Sequence, residues 1–406
     1  MNSPRSLPDS QAPHENYFSV LQAALRKAGI AWPTLVLDRD RMRRNASRLK
    51  VLIASEKRLR LVEKSLPVPS MLDELMRLTG TSAMMVFHEP QLRQSALRFA
   101  GSDLLLGKPM PVQAASRFYR DLGVTTFDPA TQLQWLIDTP QRLHEYLQVA
   151  RGLGIRMRIN VEIDVGLHRG GAGDPGVLHA ILKTLLAAPE NLEFSGLMGY
   201  DAHVGKLPAL VESRATSFAK SNRAYADFQE VVRQLLPHLS DTVCWNGAGS
   251  PTVALHHTGK SPINDVSAGS CLLKGTMFDL ELLAEFEPAI FIASPILKAW
   301  DGTRLAGPTW LSKALFGGRS SRARTYFTYG GDWRAEVISP AQVVPNKFFG
   351  VSYNQAMFSG PKHHALGVND FLFLRPHQSE GTLLQFGPLQ VVEDGEVVDE
   401  WAPFTE

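Results

Sequence analysis

A chain of 406 residues with 42 Lys and Arg against 40 Asp and Glu carries a formal charge of +2 and no long run of either sign. That balance excludes the basic footprint of a nucleic-acid or anionic-membrane binder and leaves small-molecule chemistry, while the length allows one large domain or two ordinary ones. Cys244 and Cys271 are the only cysteines, too few for a disulfide framework or a thiolate metal site, and they fit a reducing setting.

The first residues, MNSPRSLPDSQAPHENY, are polar and Pro-rich and lack the apolar centre of a secretion signal. No later run of about 18 apolar residues offers to span a bilayer, so a cytoplasmic protein without a membrane partner is expected. From residue 58 one organisation repeats: a short β-type run, then a stretch with apolar residues at helical spacing. The runs are RLRLVEK (58–64), AMMVF (83–87), DLLLG (103–107), VTTFD (124–128), RMRINVEID (156–164), FSGLMGY (194–200), TVCWNG (242–247) and DVSAGS (265–270). Between them SMLDELMRL, EPQLRQSALRFA, AASRFYRDL, ATQLQWLID, HEYLQVARGL, GVLHAILKTLLAA and SNRAYADFQEVVRQLL read as helices. Eight such alternations predict an α/β fold, a (β/α)8 TIM-type barrel, with an open doubly wound sheet as the alternative.

Beyond residue 285 helical spacing fades, and RTYFTYG, AEVIS, KFFGVSY, DFLFLRP, LLQFG and LQVVEDGEVVDEW read as strands of a C-terminal all-β domain. Asp394-Gly395 between two valine pairs is a hairpin signal, because both turn positions need positive φ. The organisation expected is an N-terminal segment 1–30, a barrel domain 31–285 and a β domain 286–406, with TLVLD (34–38) connecting the two domains.

Barrel enzymes build their sites at the C-terminal strand ends. Lys64 and Lys108, the set Asn160, Glu162, Asp164 and Arg169, Tyr200 with Asp201 and His203, and the loops NGAGSP and AGS would all face that mouth. A lysine ending a buried strand is a candidate Schiff-base nucleophile; an ion pair with Glu162 or Asp164 is the plainer alternative. In WNGAGSPT, Asn246, Gly247, Gly249 and Ser250 offer backbone amides to phosphate oxygens, and Gly269 and Ser270 add a second small-residue loop on the next strand. Phosphate sites after barrel strands seven and eight recur in this architecture. A phosphate cradle opposite a strand-end lysine suggests pyridoxal 5′-phosphate, with the Tyr200 hydroxyl on its ring nitrogen.

TLVLDRDRMRRNASRL, VEKS, NVEIDVGLHRGG, GLMGYDAH, NGAGSPT, AGS and the EDGEVVDEW hairpin together resemble the fold-type III pyridoxal-phosphate enzymes, specifically the D-threonine aldolase and D-serine dehydratase group related to alanine racemase. The resemblance runs from about residue 31 to the end. It implies that Lys64 bonds the cofactor aldehyde and takes the α-proton, that Arg169 lies near the cofactor's phenolic oxygen, that Tyr200 meets the pyridine nitrogen, and that the protein is a homodimer. Metal-dependent members carry a His-x-Cys or His-x-Asp pair where this chain has His377 and Ser379 in RPHQSEG. A serine hydroxyl is a poor ligand, which leaves a divalent metal in question, with His377 and then Glu380 as its candidates. VSYNQ, with Gln355, replaces a segment that usually carries a histidine, and EKSLP lacks flanking histidines.

The expected function is a lyase of β-hydroxy-D-amino acids, by aldol cleavage or dehydration, with Lys64, Arg169 and His377 as catalytic residues. A racemase and a non-catalytic pyridoxal-phosphate carrier are the alternatives, together with a cofactor-free barrel enzyme acting on a sugar phosphate. His88, His168, His256-His257 and His363-His364 receive no role.

Overall fold

The computed structural model describes residues 11–53, 56–206, 208, 210–239, 243–257, 261–304, 323–350, 352–362 and 366–405; His363 and His364 lie outside them. The chain divides into two compact units. One comprises residues 1–42, 273–277 and 287–403, the other residues 43–272, 278–286 and 404–406.

The second unit is a closed barrel of eight parallel strands. After β1 (Thr34–Asp38), which belongs to the other unit, its strands are β2 (Arg58–Val62), β3 (Ala83–Val86), β4 (Asp103–Leu106), β5 (Leu133–Ile137), β6 (Met157–Glu162), β7 (Leu192–Gly199), β8 (Cys244–Gly247) and β9 (Asp265–Ala268). β2 closes the ring by pairing with both β3 and β9. Strands covered by helices outside and filled inside must be apolar on both faces, and β3, β5, β8 and β9 are buried at every residue. The helices between them start where the chain supplies caps. Ahead of helix Pro175–Leu186 the Asp174 carboxylate accepts from the N–H groups of Gly176 and Val177, donors that the first helical turn would otherwise leave unpaired.

The fourth barrel strand differs from the sequence expectation. VTTFD is not a strand: Val124 is fully exposed, and the Asp128 carboxylate caps a single helical turn, Pro129–Gln132. The strand is LQWLI at 133–137, inside the run read as helical. One short apolar run has no period of its own, so tertiary burial of Leu133, Trp135, Leu136 and Ile137 decides it.

The first unit is built on a nine-stranded sheet. It adds to β1 the strands β10 (Ile290–Asp301), β11 (Arg324–Thr328), β12 (Ala335–Ser339), β13 (Val344–Pro345), β14 (Met357–Gly360), β15 (Phe371–Pro376), β16 (Leu389–Glu393) and β17 (Glu396–Trp401). The order is β13-β14-β11-β10-β1-β16-β17, with β15 on β10 and β12 on β15. TLVLD is therefore not a connector but an interior strand, antiparallel to β10 and parallel to β16. Its five residues are all buried. Helix Gln11–Lys27 covers this sheet, packing Phe18, Leu21 and Leu25 with Val36, Phe291 and Phe373. The β16–β17 hairpin turns at Asp394 and Gly395, with φ of 51° and 75°. KFFGVSY and LLQFG depart from expectation: Lys347–Phe349 is a 3-10 turn, and Leu383 closes the helix Ser379–Leu383. Among the described residues no helix is long and apolar enough to cross a membrane.

Charge, not hydrocarbon, fills one layer of the barrel. Arg60 has no solvent exposure. Its guanidinium meets both Asp265 oxygens at 2.9 Å and Asp103 Oδ1 at 2.8 Å. The Asn246 amide donates to Asp265 Oδ1 (2.6 Å) and Ser267 Oγ (2.8 Å), Gln134 donates to Asp103 Oδ1 (3.0 Å), and Asn160 donates to Gln134 Oε1 (3.1 Å). Burial pushes Asp265 up, but the Arg60 charge and hydrogen bonds outweigh it and bring the carboxyl down to about 2. Arg58 also meets both carboxylates, Asp265 at 2.7 Å and Asp103 at 3.5 Å, but it is partly exposed, so removing Arg60 takes away the only fully buried counter-charge of the pair among the described residues. Arg60→Met is expected to cost at most ~3–5 kcal/mol of stability, read from urea unfolding of the full chain.

Candidate active site

Lys64 stands in a single 3-10 turn, Glu63–Ser65, where β2 leaves the barrel. The tight turn sends three successive side chains into three environments. Glu63 is fully buried, and its Oε1 accepts the Ser95 hydroxyl at 2.7 Å, while Oε2 has no partner among the described residues. Burial pushes this carboxyl up to about 8, so it is a neutral acid at neutral pH. The half-buried Lys64 places Nζ 4.4 Å from the centre of the Phe87 ring, just beyond β3, close enough for the ring face to attract an ammonium. Ser65 Oγ lies 2.9 Å from Ser270 Oγ, in the loop after β9.

That serine pair brings the lysine turn to the two small-residue loops. Ser250 Oγ, after β8, accepts from the backbone N–H of Gly269 (3.3 Å) and of Cys271 (3.0 Å), which joins the β8 and β9 loops. Close approach requires glycine at two points. A Cβ on Gly269 would lie 2.8 Å from the Val62 carbonyl, and one on Gly249 would lie 2.5 Å from Cε2 of Tyr200. Ala248 turns through the left-handed region at φ 64°. Among the described residues the backbone N–H groups of Gly249, Ser250 and Ser270 have no hydrogen-bond partner, although all three residues are buried. Buried amides are nearly always paired. Three that are not, clustered on two adjoining loops, are suited to an anion with several oxygens.

Arg169 follows a turn organised by Asp164, whose Oδ1 accepts the N–H groups of Gly166 (2.9 Å) and His168 (3.0 Å) and whose Oδ2 is 2.7 Å from His168 Nδ1. Burial alone would raise the Asp164 carboxyl; the backbone N–H groups and the His168 ring outweigh it and hold it below its usual range. The exposed Arg169 guanidinium stands 4.9 Å from the Tyr200 ring centre, and the same ring lies close to the Gly249 backbone. Glu162 is raised by burial and by Asp138, with Arg169 opposing. His203, lowered by burial, has Nε2 3.2 Å from Ser221 Oγ, while its Nδ1 lacks a partner among the described residues.

Several expected residues thus lie together, all within the barrel unit: Lys64, Arg169, Tyr200, Gly249, Ser250 and Ser270; Gly247 instead ends β8 against Ile263 and Gly199. Asn246 and the Gly269 amide are engaged elsewhere, Asn246 with the barrel interior and Gly269 with Ser250. Lys108 is exposed. His377 and Glu380 belong to the sheet unit; His377 Nδ1 is 2.8 Å from Thr276 Oγ1 and 3.7 Å from Glu336 Oε1. Among the described residues no group of three or more His, Cys, Asp or Glu is arranged to hold a metal ion. Phe87 and Glu63 were not singled out in the sequence. Nothing in AMMVF distinguishes a ring facing Lys64, and Glu63 is conspicuous only once its burial is known. His256, without a role in the sequence, is bonded to Asp201, Nε2 to Oδ2, at 2.8 Å.

The profile of the family described as "Alanine racemase, N-terminal domain" matches residues 37–276. The chain belongs to that family. That family is one of fold-type III pyridoxal-phosphate enzymes. No curated protein matches the sequence. Among solved structures, D-threonine aldolase from Filomicrobium marinum is similar with a TM-score of 0.68 at 16% identity, covering 91% of this chain and 96% of its own. D-threo-3-hydroxyaspartate dehydratase from a Delftia species gives 0.67 at 17%, covering 93% and 98%. Alanine racemase from Bacillus anthracis gives 0.66 at 15%, covering 91% and 97%. At these identities the likeness is one of fold.

The buried acid beside the lysine has a pH signature. A carboxyl whose pKa is raised on folding contributes stability that is fully present below the unfolded value, about 4.3, and is lost as pH rises toward about 8. Glu63→Gln, which keeps the shape and cannot ionise, is expected to match the parent below about pH 4 and to exceed it in denaturant midpoint increasingly as pH rises to about 8.

Proposed function

We propose that this chain is a pyridoxal-phosphate-dependent lyase of β-hydroxy-D-amino acids, acting by aldol cleavage or dehydration. The observation that carries the reading is the placement of Lys64 beside two small-residue loops with three buried amides that have no partner among the described residues. The orphan donors fit a phosphate group. The lysine one serine away from them fits the aldehyde of the same molecule. When bound, pyridoxal 5′-phosphate supplies an electron sink for negative charge at the substrate Cα.

The chain's own residues divide the remaining work. Gly249, Ser250 and Ser270 would hold the phosphate through backbone N–H groups. Tyr200, in contact with Gly249 and Arg169, would present a neutral hydroxyl to the pyridine nitrogen, leaving the ring a weaker sink than a carboxylate partner would. Arg169 offers its cation to the phenolic oxygen. Lys64 Nζ takes the Cα proton on the dehydration route, and the Phe87 face holds that group near the mouth. The β-hydroxyl needs a base, for which His377, Glu380 and His203 are the candidates. A divalent ion at His377, and a homodimer, are further expectations of the family resemblance.

The neighbours that favour a lyase are the aldolase and the dehydratase, with an alanine racemase at similar likeness. Purified protein is expected to carry the visible absorbance of bound pyridoxal phosphate, and Lys64→Ala to lose it together with turnover. Supplied with D-threonine, D-serine and 3-hydroxy-D-aspartate, with and without chelator, the parent should release aldehyde or ammonia. Interconversion of D- and L-enantiomers without release would assign a racemase instead, and an absorbing protein inert to the whole panel would be a carrier.

A further inference from the structure

Behind the Tyr200 ring lies a buried polar chain that the chemistry above does not use. Thr252, Asp201, His256 and Ser261 are each at least nine-tenths buried. The Thr252 hydroxyl donates to Asp201 Oδ1 at 2.6 Å, and Asp201 Oδ2 lies 2.8 Å from His256 Nε2. A carboxylate only accepts, so Nε2 carries the proton. His256 Nδ1 is then free to accept the Ser261 hydroxyl, 2.6 Å away. Phe218 stands edge-on to the imidazole, with centroids 5.0 Å apart.

The connectivity of this chain matters more than its strength. Tyr200 and Asp201 are consecutive residues just beyond β7, whereas Gly249, Thr252 and His256 belong to the turn after β8 and its 3-10 continuation. That turn is gripped at two points by two adjacent residues: Gly249 against the Tyr200 ring, and Thr252 with His256 on the Asp201 carboxylate. Its amides without a partner among the described residues lie beside the first grip, at residues 249 and 250.

We propose that Asp201 is a positioning residue: its carboxylate, clamped by Thr252 and His256, sets the separation between the anion-binding amides of Gly249 and Ser250 and the Tyr200 hydroxyl. The assignment rests on the cofactor reading above. A ligand that touches both places at once senses their separation, and a ligand that touches only the ring end does not. Pyridoxal 5′-phosphate is of the first kind and pyridoxal, which lacks the phosphate, of the second.

The test is a titration of the full chain, freed of cofactor, with each ligand in turn, followed by tryptophan fluorescence. In Asp201→Asn the carboxylate charge and one accepting oxygen are lost, and the Thr252 hydroxyl must turn to accept from the new NH2, with only the Gly249 carbonyl among the described residues, 3.5 Å away, near its own proton. Affinity for pyridoxal phosphate is expected to fall roughly tenfold, with pyridoxal binding little changed. Thr252→Val removes one hydroxyl, leaves the carboxylate and its histidine in place, and is expected to show the same selective loss; it carries the test alone if the first variant does not fold. Equal weakening of both ligands, or no weakening of either, in the folded variants overturns the clamp. A parent chain that binds neither ligand overturns the cofactor reading itself, and the clamp with it.

Discussion

A guanidinium with no access to water organises the barrel. Arg60 is a full charge in a layer where its desolvation is costly, and it is tolerable there because the planar fork meets one carboxylate with two nitrogens and a second carboxylate with the third. Those carboxylates sit on β4 and β9, so the cluster pins β2 to strands on both sides of it. The same anions order the amides of Asn246 and Gln134, and through Gln134 the amide of Asn160, so the polar layer is continuous across β2, β4, β5, β6, β8 and β9. Four residues after Arg60 comes Lys64. Its exit point beside the β8 and β9 loops follows from a strand held in register from inside.

The rim works by dividing neighbours among unlike environments. Glu63 goes into the apolar shell and keeps its proton, Lys64 stays half-exposed on an aromatic face, and Ser65 reaches the next loop. A neutral acid there leaves the lysine without an ionised carboxylate on its own turn. Across the mouth, Asp164 is held ionised by backbone donors while Glu162 is pushed toward its protonated form by burial and Asp138. Arg169 opposes the rise at Glu162 and stands over the Tyr200 ring, which also lies close to the Gly249 backbone.

Much of the architecture is legible in the residues, because strands buried on both faces must be short and apolar and the intervening helices must be amphipathic. Seven barrel strands follow that rule plainly. The fourth escapes it: in ATQLQWLID a single apolar cluster has neither a clear period of two nor of 3.6, and only its burial between β4 and β6 makes LQWLI a strand. KFFGVSY and LLQFG fail for the opposite reason, since aromatic and leucine content there serves packing around turns rather than a ladder. TLVLD has the composition of a buried strand, but its partners lie some 250 and 350 residues onward, at β10 and β16, and no local pattern announces a pairing at that distance.

By itself the sequence determined the alternation that closes into a barrel, the hairpin at Asp394-Gly395, the lysine at a strand end and the small-residue loops after the last two barrel strands. These are properties of local chemistry: period, turn conformation and side-chain size. The tertiary structure alone decided what each polar group faces. It committed Asn246 to the barrel interior and the Gly269 amide to Ser250, turned Phe87 toward Lys64, neutralised Glu63, and joined Asp201 to Thr252 and His256. Partner and dielectric belong to neighbours distant in sequence, and the same residue types serve as ligand, anchor or bystander until those neighbours are in place.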